Sequence, residues 1–409
     1  MNLHSLLRPG QSDMVSPGAM GDNAPRALAL IDYADHTRGG HFASYLVLFS
    51  RAFAARFDTV LVFTPDPQRT TALLGLSQPG APKNVSCHPL PPGPRKRFYR
   101  LKRKPCPLVK IFQKATALAP GHRLRGFIMW GYDLLIAQVA EGKSGVPWAT
   151  FISITFSNRG YHDHRAEVEL RLRELCENHP DCASALVWDR YLLSPGPARL
   201  QWCPGCENVE FSPGNPIAET IRNYSRGRFC IGGVGLLTGQ RCLNELLLLA
   251  EKHPEISFVL VGRIDEKSVR EDLRPLLGPG RLPHLLALPG FKTDEEINAA
   301  AEACDAILID GSHYPLHSGI ACKALFFGKF LLTPESNSWI CDVIREYRVG
   351  LAYTDPALNF THACNLWKQD GGPLRSKQAA ENLMGPVQMN RCFDEITRRL
   401  DAAALRLHR

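Results

Sequence analysis

Apolar positions along this chain keep two rhythms, short unbroken runs and helical stripes, and the two take turns. Arg26 to Tyr33 reads as a buried strand, and Ala34-Asp35-His36-Thr37-Arg38-Gly39-Gly40-His41 follows at once. From Phe42 to Arg56 the apolar residues recur at helical spacing, with Tyr45, Leu46, Leu48, Phe49 and Phe53 on one side. Asp58 to Phe63 is a second buried run. Strand, glycine loop, helix and strand form a βαβ unit, which calls for a parallel sheet with right-handed crossovers. The pattern predicts further strands at Gly126–Trp130, Trp148–Ile154, Ala185–Trp188 and Val209–Ser212. Helices are expected at Tyr132–Ala140 and His164–Glu177.

A segment marked by Pro and Gly, from Ser212 to Gly227, interrupts the alternation, which then restarts. Arg228–Gly233 reads as a strand, Val234–Gln240 as a glycine-containing loop, Cys242–Lys252 as an apolar helix and Ile256–Val261 as a strand ending at Gly262. A short strand at Leu285–Leu288 runs into Pro289-Gly290-Phe291. The helix Asp294–Ala303 has an acidic first turn suited to its dipole, and Ala306–Ile309 is the next strand. Ser318 can cap a helix that Gly328 stops, and Lys329–Thr333 forms an apolar strand closed by Pro334. Arg391–Leu407 is an amphipathic helix. The expected fold is α/β, with two Rossmann-like doubly wound domains facing across a cleft, over 26–215 and 228–375. A disordered leader is expected over 1–25, a linker over 216–227, and C-terminal helices over 376–409 that pack back on the first domain. Ligands of such sheets sit at the carboxyl ends of the strands.

Length and composition narrow this picture. At 409 residues, 44% apolar and 22% charged, the chain fits two globular domains. No apolar run is long enough to span a bilayer, and the first 25 residues carry Arg8 without the apolar core of a secretory signal. Met14 and Met20 are alternative starts. The 13 cysteines, scattered without small-domain spacing, read as reduced thiols of a cytoplasmic protein. Cys203-Pro-Gly-Cys206 has knuckle spacing, with Cys176, His179 and Cys182 upstream, but a turn between strands explains it better than metal. The net charge of +8 is uneven, since Arg95–Lys104 holds seven basic residues in ten, around Phe98 and Tyr99. A solvated loop and an anionic membrane surface compete as explanations. Nucleic acid ranks below both, because no binding module accompanies the patch.

The order of landmarks in the second half is Gly232-Gly-Val-Gly235, Phe258-Val-Leu-Val-Gly262, Leu288-Pro-Gly-Phe291, Ala303-Cys-Asp-Ala-Ile-Leu-Ile309, then Ser318-Gly319 with Ala324-Leu-Phe-Phe-Gly328-Lys. In that order they resemble the donor-binding domain of GT-B-fold glycosyltransferases, family-4-like. They are similar in particular to a subset of bacterial polysaccharide and glycolipid enzymes. The resemblance implies a C-terminal domain that binds a nucleotide-activated sugar, with Pro289–Phe291 near the base and the helix after Ser318 facing ribose or diphosphate. It implies that Gly39-Gly40-His41 is the loop by which the acceptor-side domain approaches the donor phosphate. Many retaining members bracket that helix start with two glutamates. Here Pro315 and Lys323 stand at those places, and Leu236 replaces the arginine that usually follows the first loop.

Sugar transfer needs a base at the acceptor hydroxyl and positive charge or dipoles at the leaving diphosphate. His41 is the first choice of base, against a capping or packing role. Asp35, in the same loop, competes with it and with simple turn formation. His162 and His164 flank Asp163 and suit acceptor contact better than metal, with helix capping by Asp163 the plainer reading. Donor contacts are expected from Gly39, Gly40, Gly235, Arg241, Gly262, Arg263, Gly290, Phe291, His317, Ser318 and Gly319, with Arg241 and the Ser318–Gly319 amides on the diphosphate. No Asp-x-Asp triplet lies at a suitable strand end, so no metal is expected. The nucleotide sugar would be a substrate, leaving no cofactor. The expected activity is transfer of a sugar from a nucleotide donor to a glycan, lipid-linked or small-molecule hydroxyl. The basic stretch would hold the enzyme peripherally on a membrane face. A catalytically silent nucleotide-sugar-binding relative and a GT-B-like epimerase are the alternatives. A dehydrogenase is disfavoured, because Gly232–Gly235 lacks the G-x-G-x-x-G fingerprint.

Overall fold

The structure, a computed structural model, describes residues 24–33, 41–91, 108–129, 144–151, 174, 176–192, 199–205, 207–210, 213–278, 280–312 and 317–407, with backbone alone at 41 and 42. Two compact units account for them, one spanning 207–388 and the other comprising the preceding residues together with 389–407. The expected helix Tyr132–Ala140, most of His164–Glu177, Cys206 and the basic stretch Arg95–Lys104 lie outside the described residues.

The first unit is built on a seven-stranded parallel sheet in the order β3-β2-β1-β4-β5-β6-β7. Its strands are β1 (Arg26–Ile31), β2 (Thr59–Thr64), β3 (Val85–Pro89), β4 (Arg123–Ile128), β5 (Trp148–Phe151), β6 (Cys182–Val187) and β7 (Leu200–Trp202). The unbroken apolar run of β1 follows from its place between β2 and β4, where both faces are covered. Helix α1 (His41–Ala54) lays Tyr45, Leu46, Leu48, Phe49 and Phe53 into the core, the stripe read from the sequence. Helices α2 (Pro67–Leu73) and α3 (Leu108–Leu118) belong to the same unit. Val209 and Glu210 are not in a strand; the last strand is Leu200–Trp202, nearer the turn at Cys203.

The second unit is a six-stranded parallel sheet in the order β10-β9-β8-β11-β12-β13. The strands are β8 (Cys230–Leu237), β9 (Ser257–Ile264), β10 (Leu285–Pro289), β11 (Ala306–Leu308), β12 (Phe330–Pro334) and β13 (Gly350–Tyr353). Residues 216–225, expected as a linker, are helix α4 (Pro216–Ser225). Asn215 caps it through Ile217 N, and Ala218 and Ile221 are buried. The Pro-rich run reads as punctuation because Pro at N1 is also how a helix starts. Next come α5 (Leu243–Lys252), α6 (Asp294–Ala303), α7 (Gly319–Phe326), α8 (Trp339–Tyr347), α9 (Phe360–Gln369) and α10 (Gly372–Met384). Strand β8 runs through its glycines to Leu237, so the loop expected from Val234 is shorter. Strand β9 pairs with β8 from Cys230 through Leu237.

The helix α11 (Pro386–Leu407) supplies Met389, Phe393, Ile396 and Leu400 to the core of the first unit. Phe393 meets Phe49 and Phe53 edge to face at 4.9 and 5.2 Å. Buried Arg125 pairs with Asp401 at 3.1 Å, and Gln201 donates to the Cys392 carbonyl at 3.1 Å.

Candidate functional site

In each sheet the strand order reverses once, between β1 and β4 and between β8 and β11, and parallel sheets take ligands at the carboxyl ends beside such a reversal. In the first unit that point is Asp32, fully buried, whose amide donates to the Phe63 carbonyl at 2.9 Å. The sequence reading passed over it, since a single Asp after an apolar strand carries no pattern of its own. His41 opens α1, with its side chain outside the described residues. Asp35, Gly39, Gly40, His162 and His164 lie outside them too.

The second unit brings several expected residues together. Gly235, Gly262 and Gly290 lie within two residues of the carboxyl ends of three neighbouring strands, with φ of 99°, 129° and 112° that L side chains rarely adopt. Gly235 is paired with Gly262 across β8 and β9, and Gly290 N donates to the Gly262 carbonyl at 3.0 Å. A Cβ on Gly262 would run into the Gly235 carbonyl oxygen. The result is bare backbone across the carboxyl ends of β8, β9 and β10. Phe291 follows Gly290 with 77% of its surface exposed, and Arg263 follows Gly262, also exposed. Arg241 sits in the turn after β8, where its amide donates to the Thr238 carbonyl at 2.9 Å. Cys242, at φ 60°, then redirects the chain into α5, and burial pushes its thiol up to about 12.

The amino end of α7 lies against Gly235, where an added Cβ would meet the Ile320 Cδ1 at 3.4 Å. Ser318 caps the helix as expected, its Oγ accepting from Ala321 N at 3.3 Å. His317 packs on the Trp339 ring at 4.6 Å, and its Nε2 is 3.3 Å from the Cys322 Sγ. Desolvation holds that thiol well above the usual range, so it stays protonated and can donate.

Two residues differ from expectation. Lys323, which stands where many retaining members carry a glutamate, is 3% exposed. Its ammonium donates to the Asn208 carbonyl at 2.5 Å and the Asn298 Oδ1 at 3.0 Å, and pairs with Asp294 at 3.4 Å. Helix α6 packs alongside, and its carboxylate and amide draw the lysine inward. Glu207 was missed altogether. Its carboxylate lies over Gly319, where an added Cβ would come within 2.6 Å of Cδ and 2.8 Å of Oε2. The one sequence signal for such a neighbour is the glycine itself, directly after the helix cap.

Cys203 donates to the Pro204 carbonyl at 3.6 Å, and Cys182 to the Ser184 carbonyl at 3.8 Å. Among the described residues no group of three His, Cys, Asp or Glu side chains is arranged for a metal ion, and no helix is long and apolar enough to cross a membrane.

Solved structures share this architecture across nearly the whole chain. HepE of Anabaena in complex with UDP-glucose aligns with a TM-score of 0.60 at 14% identity, covering 90% of this chain and 98% of that one. The fold is GT-B. Sucrose-phosphate synthase from Thermosynechococcus elongatus aligns at 0.57 and 17%, covering 94% and 97%. WaaG, a glycosyltransferase involved in lipopolysaccharide biosynthesis, aligns at 0.51 and 16%, covering 91% and 95%. No protein-family model and no curated protein sequence matches this GT-B chain.

Proposed function

We propose that this chain is a glycosyltransferase that moves a sugar from a nucleotide diphosphate donor, a UDP-sugar first, to an acceptor hydroxyl without a metal. The observation that carries this reading is Gly235 beside the amino end of α7, with Gly262 and Gly290 on the neighbouring strands, in a fold whose solved neighbour HepE holds UDP-glucose. Backbone without side chains lets a nucleotide approach closely, and a helix amino end offers N–H groups and a positive dipole to phosphate. Phe291 offers an exposed ring for the base to stack on. Ser318, Gly319 and His317 are assigned to the diphosphate side, with Arg241 and Arg263 as its cations. The base is assigned to His41, with Asp35 as its rival, and the acceptor contacts to His162 and His164. The stretch Arg95–Lys104 is assigned to an anionic membrane surface, where a lipid-linked or polysaccharide acceptor would be met.

A silent nucleotide-sugar binder is the second reading, favoured by Lys323, which is buried and engaged where many retaining members carry a glutamate. Thermal-shift screening against UDP-, GDP-, dTDP- and CMP-sugars, followed by a hydrolysis assay on whichever binds, separates the two. Stabilisation by a UDP-sugar with release of UDP, lost in His41→Ala, is the expected result. Binding without turnover selects the silent binder, and no binding of any nucleotide sugar removes both.

A further inference from the structure

We infer that Asp310 reads the sugar of the donor, accepting hydrogen bonds from its hydroxyls, so that the site takes a neutral sugar and refuses a sugar acid. This rests on the donor-site reading above, which lays the nucleotide along the carboxyl ends of β8, β9 and β10. Asp310 follows β11, the strand beside β8 at which the strand order reverses. Ile307 pairs with Gly232, and by that register Asp310 stands level with Gly235, the glycine beside the amino end of α7. Only 7% of its surface is exposed. One carboxylate oxygen, Oδ1, accepts from the Ser312 amide at 2.9 Å and from the Ser312 hydroxyl. Among the described residues no group bonds the other oxygen, Oδ2. Such an oxygen, on a carboxylate this buried, needs a hydrogen-bond donor, and a ligand hydroxyl is one.

The order of the strands sets the direction of the ligand. Phe291, the ring offered to the base, follows β10; β8 lies about 10 Å and β11 about 14 Å across the sheet from β10. In a nucleotide sugar the diphosphate stands between base and sugar. With the base at β10 and the diphosphate at β8 and α7, the sugar arrives next at β11, where Asp310 is. The backbone there is fixed: Ile309 N donates to the Leu332 carbonyl at 2.8 Å, and Gly311 N to the Thr333 Oγ1 at 3.3 Å. Burial first, and the Asp310 charge after it, raise the Cys242 thiol, so the carboxylate acts at the head of α5, directly after Arg241. A carboxylate held in this way accepts strongly from hydroxyls and repels a second carboxylate.

The test is isothermal titration of the full chain with UDP, UDP-glucose, UDP-galactose and UDP-glucuronate, comparing wild type, Asp310→Asn and Asp310→Ala. Wild type is expected to bind a neutral UDP-hexose more tightly than UDP, and UDP-glucuronate more weakly than UDP-glucose. Both variants should bind UDP within about twofold of wild type and lose about tenfold on the preferred hexose, the order of a hydrogen bond to a charged group. They should also no longer set UDP-glucuronate apart from UDP-glucose. Asn keeps an acceptor for Ser312, so its melting without ligand should match wild type; the Ala variant decides if the Asn variant fails to fold. Hexose affinity that is unchanged, or that falls in step with UDP affinity, overturns the inference, because a residue that only supports the fold would move neither or both. Equal wild-type affinity for UDP-glucuronate and UDP-glucose overturns it too. So does wild-type binding of UDP with nothing gained from any sugar, a result that leaves the donor-site reading standing. No binding of UDP or a UDP-sugar by any form removes the donor-site reading and the inference with it.

Discussion

Gly262 has φ 129°, and the Gly235 carbonyl oxygen stands where its side chain would be. Gly262→Ala therefore combines a disfavoured backbone angle with a collision. We expect it to lower the stability of the 207–388 unit by about 3 kcal/mol, read from the urea midpoint of that unit's transition. His317 gives a subtler case. Because the buried Cys322 keeps its thiol proton, donation to Nε2 leaves the imidazole proton on Nδ1. Nitrogen-15 shifts of His317 should show Nε2 as an unprotonated acceptor in the wild type. They should show mixed tautomers in Cys322→Ala and recovery in Cys322→Ser. Unchanged shifts in Cys322→Ala would remove the thiol from any part in orienting the ring. Both features escape a sequence reading for the same reason. The contact lies between residues whose types are individually ordinary.

At the scale of elements, what could be read in advance follows local periodicity. The stripe of α1, the cap at Ser318 and the apolar run ending in Gly262 all depend on neighbours within a turn or two, so the sequence holds them. The position of Lys323 depends on Asp294 and Asn298 of another helix, and neither spacing nor composition reports it. The helix at 216–225 was hidden because Pro216 and Asn215 serve equally as linker residues and as a helix start. Lys323→Met tests the element-level view. Leaving carbonyl and carboxylate partners without their cation should cost about 1–3 kcal/mol and loosen segment 207–210, measured by amide hydrogen exchange. Helix α11 offers a pH test. Hydrogen bonds from Arg398 and then Arg399 hold the Glu395 carboxyl down at about 2, from an ordinary 4.5. A depressed carboxyl stabilises the fold above its unfolded value and loses that stabilisation as pH falls towards its folded value. The difference in melting temperature between wild type and Glu395→Gln should be small at neutral pH, since solvent reaches the group and its partner Arg398 is exposed. It should close between about pH 4.5 and pH 2.

At the scale of the whole molecule, the seven-stranded unit is completed by residues that follow the six-stranded one in the chain. Phe393 packs on Phe49 and Phe53, and Asp401 answers both Arg26 and Arg125. Phe393→Ala is expected to cost the first unit about 3–5 kcal/mol while leaving the second untouched. Calorimetry should then show one of two transitions moving.

That return of α11 also bears on how the protein is made. A ribosome releases β1 through β7 long before residues 389–407 exist, so for most of synthesis Phe49, Phe53 and Arg125 lack the surface that covers them. The domain synthesised first thereby keeps an incomplete core until the last residues of the chain are made, and that core is a surface for chaperones to hold.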